Sequence, residues 1–363
     1  MKILYITTIG RTMEFFESFI KEQLNVGNQI DIATNENNGK APVPSCYREW
    51  GCKIYHLDTS RSPVSFGNIR AIKQIRELVK RNNYDMVHCH TPLAAAATRL
   101  ACEDLRKKGL KVIYTAHGFH FYDGAPIKNW LIYYPIEKWL SKYTDVLITI
   151  NREDYNRAKN KFYSNRIEYI PGVGIDLDKF KFKNENREKI RAELKIKKDQ
   201  IMLLSVGELN KNKNHEMVIR AIKDIPNIIY VIVGRGRLGD RLLHVAKECN
   251  VDLKLVGYRA DVAYFYSAAD VYILPSIREG LNVSLMEAMA SGLACCASKI
   301  RGNIDLINDA LFNPQNEKEI KNTLSYAMKN KEIIGRKNLN ISRRFKIDNI
   351  NILLSKLYAI ECK

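Results

Sequence analysis

Short apolar runs alternate along this chain with longer segments in which apolar residues recur every three or four positions. In the first half the runs occupy residues 3–7, 30–34, 53–57, 86–90, 112–115 and 146–150. Segments of helical periodicity separate them, as at 69–80 and 92–107. Strands that alternate with helices are typical of parallel sheets with helical crossovers, so the pattern predicts an α/β fold.

The same pattern starts again in the second half of the chain. Apolar runs recur at residues 202–206, 228–233, 253–257 and 271–274, and a last amphipathic helix covers 345–360. Between the halves lies the segment 171–176, PGVGID, whose proline and glycines favour a hinge. With 363 residues the chain is long enough for two domains that each have a full core.

The composition indicates a soluble globular protein. Hydrophobic residues make up 46% and charged residues 27% of the sequence, and no apolar run approaches the length of a transmembrane helix. The N-terminus is typical of a buried first strand and not of a signal peptide. The eight cysteines have no metal-site spacing, and reduced thiols in a cytoplasm are the simplest account. His88 and His90 alternate with Cys89 in a strand pattern, which does not favour a metal site.

The formal net charge of +18 requires an explanation. Nucleic acid, an anionic membrane surface and a polyphosphate substrate would each fit. The sequence has no zinc-finger spacing, aromatic RNA-binding signature or long basic run, so nucleic acid is not expected as a partner. A membrane surface and a phosphate-bearing substrate both stay open at this point.

The most informative stretch runs from Pro275 to Ser298. It follows the apolar run at 271–274, passes through a Pro-Ser loop and then becomes helical. A loop that leads into a helix gathers free backbone N–H groups and the positive end of the helix dipole, which suits an anion. Glu279 lies in the loop and Glu287 lies eight residues later in the helix, so a carboxylate flanks the N–H groups on each side. The N–H groups would bind a phosphate, and the two carboxylates would bind hydroxyl groups on either side of it. A nucleotide sugar has this arrangement of phosphate and hydroxyl groups.

The segment EGLNVSLMEA, which begins at Glu279, resembles the two-glutamate signature of the retaining glycosyltransferases of family 4. The resemblance implies that Glu279 lies near hydroxyls of the donor hexose, at the catalytic centre, and that Glu287 binds the ribose hydroxyls. It also implies that backbone amides between the two glutamates meet the donor sugar and the diphosphate. These positions are Gly280, Leu281, Asn282 and Val283.

Family 4 enzymes have the GT-B fold, so the resemblance implies two Rossmann-like domains that face each other across a cleft. It places an acceptor-binding domain at residues 1–172 and a nucleotide-sugar-binding domain at 173–344. The C-terminal helix, within 345–363, is expected to cross back and pack on the N-terminal domain. The resemblance is to enzymes of the bacterial capsule and exopolysaccharide type.

A second match lies in the loop after the first strand of the second half. Its sequence from Gly207 to His215 is GELNKNKNH, which resembles the diphosphate loop of the family, where an arginine and a lysine flank the pyrophosphate. Lys213 stands in the lysine position and is expected to stabilise the charge that grows on the leaving group. Gly207 and Asn212 are expected to contact the substrate as well.

The arginine position of this loop departs from the family pattern because it holds Glu208. The missing cation is expected from Lys211, Arg11 or Arg235, unless Glu208 recognises something else. Gly10 and Arg11 follow the first strand of the chain, at the sheet edge where ligands bind in open α/β folds. Both are therefore expected to contact the substrate.

The loop after the run at 112–115 carries His117 and Gly118. In this context the pair resembles the His-Gly loop of the family, in which the histidine approaches the donor sugar near its outer hydroxyl. The resemblance therefore implies a place for His117 at the catalytic centre.

Residues 234–239, GRGRLG, form a G-x-G-x-x-G pattern after a strand, which on its face is a dinucleotide fingerprint. No acidic residue ends the next strand, 253–257, where one should hold the ribose, and the family has a glycine-rich loop at this place. Gly234 and Arg235 are therefore expected to contact the sugar nucleotide. Tyr258 follows that next strand, in a turn whose backbone meets the nucleotide base in relatives.

These features predict transfer of a hexose or an N-acetylhexosamine from a UDP-sugar to a glycan acceptor, with retention at the anomeric carbon. The expected acceptor is linked to polyprenyl diphosphate and belongs to bacterial surface polysaccharide synthesis. No metal ion is expected, and no cofactor besides the UDP-sugar co-substrate. Two alternatives stay open, a GT-B UDP-sugar epimerase that hydrolyses its substrate and an NAD-binding Rossmann protein.

Residues 127–143 mix aromatic, aliphatic and lysine side chains, and Pro135 is expected to kink any helix there. The segment fits either a pair of helices that face the core or a patch that faces a membrane. Lys128, Lys138 and Lys142 lie among its aromatic residues, and this combination suits an anionic bilayer surface. A cytoplasmic protein at the periphery of the inner face of the plasma membrane is therefore expected.

Overall fold

The computed structural model describes residues 1–60, 62 and 64–361. The chain divides into two compact units. Unit 1 comprises Met1–Val173 and Asp348–Lys363, and unit 2 comprises Gly174–Ile347. The first break lies one residue beyond the boundary predicted from the sequence. The return to unit 1 begins at Asp348 and not at residue 345.

Each unit is built on one parallel sheet. In unit 1 the strands are β1 (Lys2–Ile6), β2 (Gln29–Thr34), β3 (Ile54–His56), β4 (Met86–His90), β5 (Lys111–Ala116), β6 (Val146–Thr149) and β7 (Arg166–Tyr169). In unit 2 they are β8 (Ile201–Val206), β9 (Ile228–Val233), β10 (Asp252–Leu255), β11 (Val271–Leu274), β12 (Ala294–Ser298) and β13 (Leu311–Phe312). The strand orders are β3-β2-β1-β4-β5-β6-β7 and β10-β9-β8-β11-β12-β13. Strands such as β6 and β9 are buried throughout, which explains their continuous apolar sequences.

Helices connect the strands in both units. They are α1 (Glu17–Asn25), α2 (Cys46–Glu49), α3 (Phe66–Asn82), α4 (Pro92–Ala101), α5 (Glu103–Arg106), α6 (Ile127–Leu140), α7 (Arg152–Lys161), α8 (Asn184–Glu193), α9 (His215–Ile222), α10 (Gly239–Glu248), α11 (Val262–Ala268), α12 (Val283–Ala290), α13 (Asn303–Leu306), α14 (Glu317–Lys329), α15 (Lys331–Ser342) and α16 (Ile347–Glu361). Short 3₁₀ helices cover Gly10–Phe15, Ser141–Tyr143 and Arg343–Phe345. Among the described residues no helix is both long and apolar enough to span a bilayer.

The sheet of unit 1 separates two hydrophobic layers. Helices α3, α4, α5 and α6 cover one face. On the other face α1 contributes Phe19 and Ile20, and α16 contributes Ile350 and Leu357. The last helix of the chain therefore completes the core of the unit in which the chain begins.

In unit 2, helices α9, α10 and α14 cover one face of the sheet. Their buried residues follow helical periodicity, as Val218, Ile219 and Ile222 do in α9. The sequence pattern and the packing therefore agree over these helices.

Two helices differ from the sequence expectation. The helix predicted over 92–107 is divided into α4 and α5, because the backbone of Cys102 leaves the helical region at φ −104° and ψ 2°. In the segment 127–143, one α-helix, α6, contains Pro135 and is followed by the short 3₁₀ helix Ser141–Tyr143, so the segment is not a pair of α-helices. The proline has no N–H to donate to the carbonyl of Leu131, and Leu131 lies on the exposed side, where water is able to replace that bond.

Candidate active site

The carboxyl ends of the strands bring many of the predicted residues to one edge of the sheet in unit 2. Lys213 lies in the loop after β8, Gly234 and Arg235 follow β9, and Glu279 follows β11. Strands β9, β8 and β11 are neighbours in the sheet, so these loops lie side by side. In open α/β sheets this edge is where ligands bind.

Lys213 and Glu279 form an ion pair, with 2.7 Å between Nζ and Oε1. The two side chains are 16% and 13% exposed, so water screens their interaction only partly. Gly207 lies against the lysine, and a Cβ at that position would stand 3.1 Å from its Cε. The structure thus joins two of the three residues that the sequence predicts at the catalytic centre.

Close backbone contact explains the glycine at position 234. Its φ is 154°, and a Cβ there would lie 1.8 Å from the carbonyl oxygen of Gly207. The N–H of Gly234 donates to the carbonyl of Gly257 over 2.8 Å, which ties this loop to the turn before Tyr258. Part of the G-x-G-x-x-G pattern therefore serves the packing of neighbouring loops.

Asn212 joins the loop after β8 to the loop after β11. Its carbonyl accepts from the N–H of Ile277 at 2.8 Å, and its Nδ2 donates to the carbonyl of Arg278 at 3.1 Å. These bonds hold the diphosphate-type loop against the stretch that contains Glu279. A direct substrate contact by Asn212 stays a prediction.

The helix α12 begins directly after Asn282, whose side chain caps it. The Oδ1 atom of Asn282 accepts from the N–H of Leu285 at 3.0 Å and from the hydroxyl of Ser284 at 2.7 Å. Leu281 and Asn282 are buried, whereas Gly280 and Val283 are partly exposed. The side chain of Asn282 is thus engaged within the protein, so a ligand at this helix end would meet backbone groups.

Glu287 is half-buried in α12, and the hydroxyl of Tyr266 donates to its Oε2 over 2.8 Å. Burial raises the pKa of Glu287 to about 7. The hydrogen bond from Tyr266 and the charge of Lys179 both act in the opposite direction. The carboxyl group therefore titrates close to neutral pH.

Glu208 occupies the position at which the family has an arginine, and three other residues were expected to supply the missing cation. Lys211 and Arg235 are exposed side chains in unit 2. Arg11 lies in unit 1, where it pairs with Glu14 at 3.7 Å. The carboxylate of Glu208 accepts from Nδ2 of Asn210 at 2.9 Å.

Sequence reasoning did not find Arg301, which also lies at this edge. It follows β12, is buried, and donates from Nε to the carbonyl of Glu279 at 3.1 Å. The next residue, Gly302, packs so closely that a Cβ would lie 2.1 Å from the carbonyl oxygen of Gly280. The sequence feature that could have indicated Arg301 is a basic residue followed by a glycine after the carboxyl end of a strand.

In unit 1, histidines of β4 meet His117 near the carboxyl edge of the sheet; His88 and His90 are buried, and His117 is partly exposed. His117 follows β5, and its Nε2 lies 3.2 Å from Nδ1 of His90. His88 contacts the hydroxyl of Tyr358 through Nδ1 at 2.5 Å and the hydroxyl of Thr115 through Nε2 at 2.8 Å. Burial lowers the pKa of His88 to about 3 and that of His117 to about 4. Both rings are therefore neutral at physiological pH.

The loop after β1 shows different constraints at its two predicted positions. A Cβ on Gly10 would lie 2.6 Å from the carbonyl oxygen of Ala41, so backbone packing alone requires glycine there. The Arg11 side chain is exposed. A substrate contact by either residue stays a prediction.

In the described part of the chain, no group of three or more His, Cys, Asp or Glu side chains is able to hold a metal ion. The expectation of no metal ion assumed that the sequence lacks an Asp-x-Asp motif, and this assumption was wrong, because Asp176 and Asp178 form one. The Oδ1 atom of Asp176 accepts from the N–H groups of Asp178 and Lys179, both at 3.0 Å. This carboxylate thus closes a turn.

Comparison with known proteins gives the family. The profile of glycosyl transferases group 1 matches residues 186–344, and the profile described as glycosyl transferase 4-like matches residues 2–151. The chain is 35% identical to the putative glycosyltransferase EpsD of Bacillus subtilis (strain 168) over 317 residues. The aligned region covers 85% of this chain and 81% of that protein. The chain belongs to the family 4-like glycosyltransferases.

A second relative of this glycosyltransferase is an enzyme of Escherichia coli, the UDP-Gal:alpha-D-GlcNAc-diphosphoundecaprenol alpha-1,3-galactosyltransferase. The two are 31% identical over 265 residues, 68% of this chain and 67% of that enzyme. Among solved structures, Anabaena HepE in complex with UDP matches with a TM-score of 0.81 at 16% identity, over 99% of this chain and 100% of that chain. The expectation of a GT-B fold is therefore confirmed.

In this glycosyltransferase the predicted residues fall into two groups. Gly10, Arg11 and His117 belong to unit 1, and the others belong to unit 2. Within unit 2, Lys213 and Glu279 are in direct contact, while Tyr258 is an exposed side chain after Gly257. The role of each residue toward a substrate stays a prediction.

Proposed function

We propose that this glycosyltransferase moves a hexose or an N-acetylhexosamine from a UDP-sugar to a glycan acceptor linked to polyprenyl diphosphate, in bacterial surface polysaccharide synthesis. The transfer retains the configuration at the anomeric carbon. The observation that carries the proposal is the Lys213–Glu279 ion pair beside the N-terminus of α12. The E. coli relative, whose name gives UDP-Gal and a diphosphoundecaprenol-linked acceptor, supports the choice of substrates.

The donor side of the proposal follows from the charges at this edge. A diphosphate beside α12 would be met by backbone N–H groups and by the positive end of the helix. It would compete with Glu279 for Lys213, because a phosphate is also a strong acceptor for an ammonium group. Glu279 would then be released to accept from hydroxyls of the hexose, while Glu287 accepts from the ribose.

The proposed reaction breaks the bond between the anomeric carbon and the oxygen of the β-phosphate. The new bond forms from the acceptor hydroxyl to the anomeric carbon on the same face of the sugar. The proton of that hydroxyl passes to the departing diphosphate. Lys213 and the backbone N–H groups stabilise the charge that grows on the leaving group, so the proposal includes neither a metal ion nor a cofactor.

Product analysis tests this proposal. The protein is incubated with UDP-galactose, UDP-glucose or their N-acetyl forms and with a polyprenyl-diphosphate-linked N-acetylglucosamine. We expect mass spectrometry to show a lipid-linked disaccharide. The anomeric coupling constant of the new linkage, read from its NMR spectrum, should match that of the donor sugar. Release of a free, epimerised sugar without an acceptor product would favour the epimerase. An inverted linkage would refute retention.

We place the enzyme at the cytoplasmic face of a membrane because of the outer side of α6. Ile127 and Leu131 are 76% and 72% exposed, and Lys128, Lys138 and Lys142 lie on the same segment. The inner side of the helix packs on the core of unit 1, so its outer side is the part that we propose to face the membrane. Exposed apolar side chains beside lysines are the combination that binds anionic bilayers.

Liposome flotation tests the membrane assignment. Binding to vesicles with anionic lipid should fall at high salt, in a variant with Lys128→Glu, Lys138→Glu and Lys142→Glu, and in Leu131→Ser. Ile333→Ser is the matched control, since Ile333 is as exposed as Leu131 but lies in unit 2. Binding that is indifferent to salt, lipid charge and these changes would refute the assignment.

A further inference from the structure

Tyr266 is a buried side chain of unit 2 that contacts the predicted ribose-binding carboxylate. It lies in α11, and its hydroxyl is 2.8 Å from Oε2 of Glu287. The carbonyl of Ser284 is a second acceptor, at 3.1 Å. A phenol has one proton to donate, and a carboxylate accepts more strongly than a carbonyl. The hydroxyl therefore donates to Glu287.

The ring of Tyr266 is held on two sides. Phe180 meets it edge-on with 5.8 Å between ring centroids, and Tyr272 meets it at a tilt with 5.9 Å. The backbone of Phe180 is anchored in turn, because the hydroxyl of Ser291 donates to its carbonyl over 2.6 Å. The Tyr266 hydroxyl thus has a fixed position, which limits the rotation of the carboxylate that it contacts.

The two oxygens of Glu287 have different surroundings. Oε2 accepts from Tyr266, whereas Oε1 has no hydrogen bond within the described residues. Lys179 acts on the carboxylate through its charge and favours the ionised form. A carboxylate that is held by one oxygen presents the other in a defined direction to a ligand.

We infer that Tyr266 is a positioning residue that directs Oε1 of Glu287 toward the ribose hydroxyls of the donor nucleotide and thereby makes the site selective for ribonucleotides over deoxyribonucleotides. The inference rests on the proposed function, which assigns Glu287 to the ribose. UDP offers hydroxyls at the 2′ and 3′ carbons, and 2′,3′-dideoxy-UDP offers neither. The two nucleotides therefore separate an effect that passes through Glu287 from a general loss of structure.

Calorimetry with Tyr266→Phe tests the inference. The affinity for UDP should fall roughly tenfold, as expected when a charged group loses a hydrogen bond that holds it. The affinity for 2′,3′-dideoxy-UDP should not change. In a Glu287→Ala background the same change should cause no further loss. Tyr230→Phe is the control, because it removes another buried hydroxyl of unit 2, which contacts Ser205 at 2.8 Å.

The pH dependence of UDP binding gives a second readout. The titratable and charged groups that act on Glu287 are Tyr266, Lys179 and Tyr272. The Tyr266 bond opposes the effect of burial, which raises the pKa of Glu287, so Tyr266→Phe should move the binding midpoint to higher pH. If that variant does not fold, 3-fluorotyrosine at position 266 keeps the ring and donates more strongly. It should move the midpoint to lower pH.

The outcomes are distinguishable. Equal losses for UDP and 2′,3′-dideoxy-UDP, or an unchanged affinity and midpoint in the folded variants, would overturn the role of Tyr266 and leave the proposed function intact. Failure of the wild-type protein to bind UDP would overturn the proposed function and this inference with it.

Discussion

Unit 1 and unit 2 share a strand order but carry different chemistry at the same edge of the sheet. Apart from the additional strand β7, the order β3-β2-β1-β4-β5-β6 repeats as β10-β9-β8-β11-β12-β13. In unit 2 the edge holds an ion pair between Lys213 and Glu279, and Glu287 lies in the helix that follows. In unit 1 it holds His117 beside His90, the last residue of β4, and desolvation lowers the pKa of both rings so that they are neutral. The comparison teaches that the topology offers an edge for ligands, while the loop residues decide which ligand is bound.

The largest effect should come from removing the cation of unit 2. Lys213→Ala should lower the turnover number on the order of 100-fold to 1000-fold at saturating donor, because the charge on the leaving group is greatest in the transition state. Steady-state kinetics and calorimetry with UDP would separate turnover from binding. Lys223→Ala, an exposed lysine elsewhere in unit 2, should have no effect. A wild-type turnover number in Lys213→Ala would refute the assignment.

The next effect should come from the backbone contact that shapes the same edge. Gly234→Ala would place a Cβ 1.8 Å from the carbonyl oxygen of Gly207, so the loops must separate. We expect a loss of about 2–4 kcal/mol in the free energy of unfolding, together with weaker UDP binding. Gly239→Ala is the control, since its nearest neighbour atom would be at 3.8 Å. Equal unfolding temperatures for both variants would contradict the contact.

Glu287→Gln should reveal a conflict between stability and binding. Because burial raises the pKa of Glu287 from 4.5 to about 7, folding favours the protonated carboxyl group. In the wild type, Glu287 therefore makes its whole contribution to the free energy of unfolding below about pH 4.5. That contribution is lost as the pH rises to about 7. Relative to wild type, the glutamine variant should be stabilised by about 2–3 kcal/mol at pH 8 and unchanged near pH 4. It should also bind UDP more weakly.

Thermal unfolding at the two pH values, with calorimetry of UDP binding, checks both parts. If the variant is no more stable than wild type at pH 8, the ionised carboxylate of Glu287 does not lower the free energy of unfolding. Undiminished UDP affinity in the same variant would remove Glu287 from the ribose site.

The smallest effect should come from unit 1. His117→Ala should lower turnover roughly tenfold and leave UDP affinity unchanged, because the proposed contact is with the sugar and not with the nucleotide. Since the pKa of His117 is lowered to about 4, the shape of the rate profile above pH 6 should stay the same. His56→Ala, an exposed histidine of the same unit, is the control. A parallel loss of UDP affinity would place His117 elsewhere.

Much of unit 2 was predictable because its chemistry depends on local sequence. A strand, a loop with Glu279 and a helix with Glu287 form one continuous stretch, and the loop with Lys213 follows a clear apolar run. The G-x-G-x-x-G pattern was visible too. Its packing function was not, because the contact between Gly234 and Gly207 joins residues from neighbouring strands.

The features that sequence reasoning missed depend on contacts between distant residues. Tyr266 and Glu287 are 21 positions apart, and nothing in the helix pattern around Tyr266 separates it from an ordinary core tyrosine. Arg301 meets Glu279 only because β11 and β12 are neighbours. The single helix through Pro135 likewise depends on where the sheet buries one side of α6.

The return of α16 to unit 1 has a consequence for synthesis on the ribosome. The hydroxyl of Tyr358 lies 2.7 Å from that of Tyr5 and also contacts His88, yet Tyr358 is translated 353 residues after Tyr5. The stretch Gly174–Ile347, by contrast, is continuous and emerges whole before α16 does. Part of the apolar layer of unit 1 therefore stays uncovered until α16 has been synthesised, although most of unit 1 is made before unit 2. A truncation that removes α16 should therefore impair the folding of unit 1.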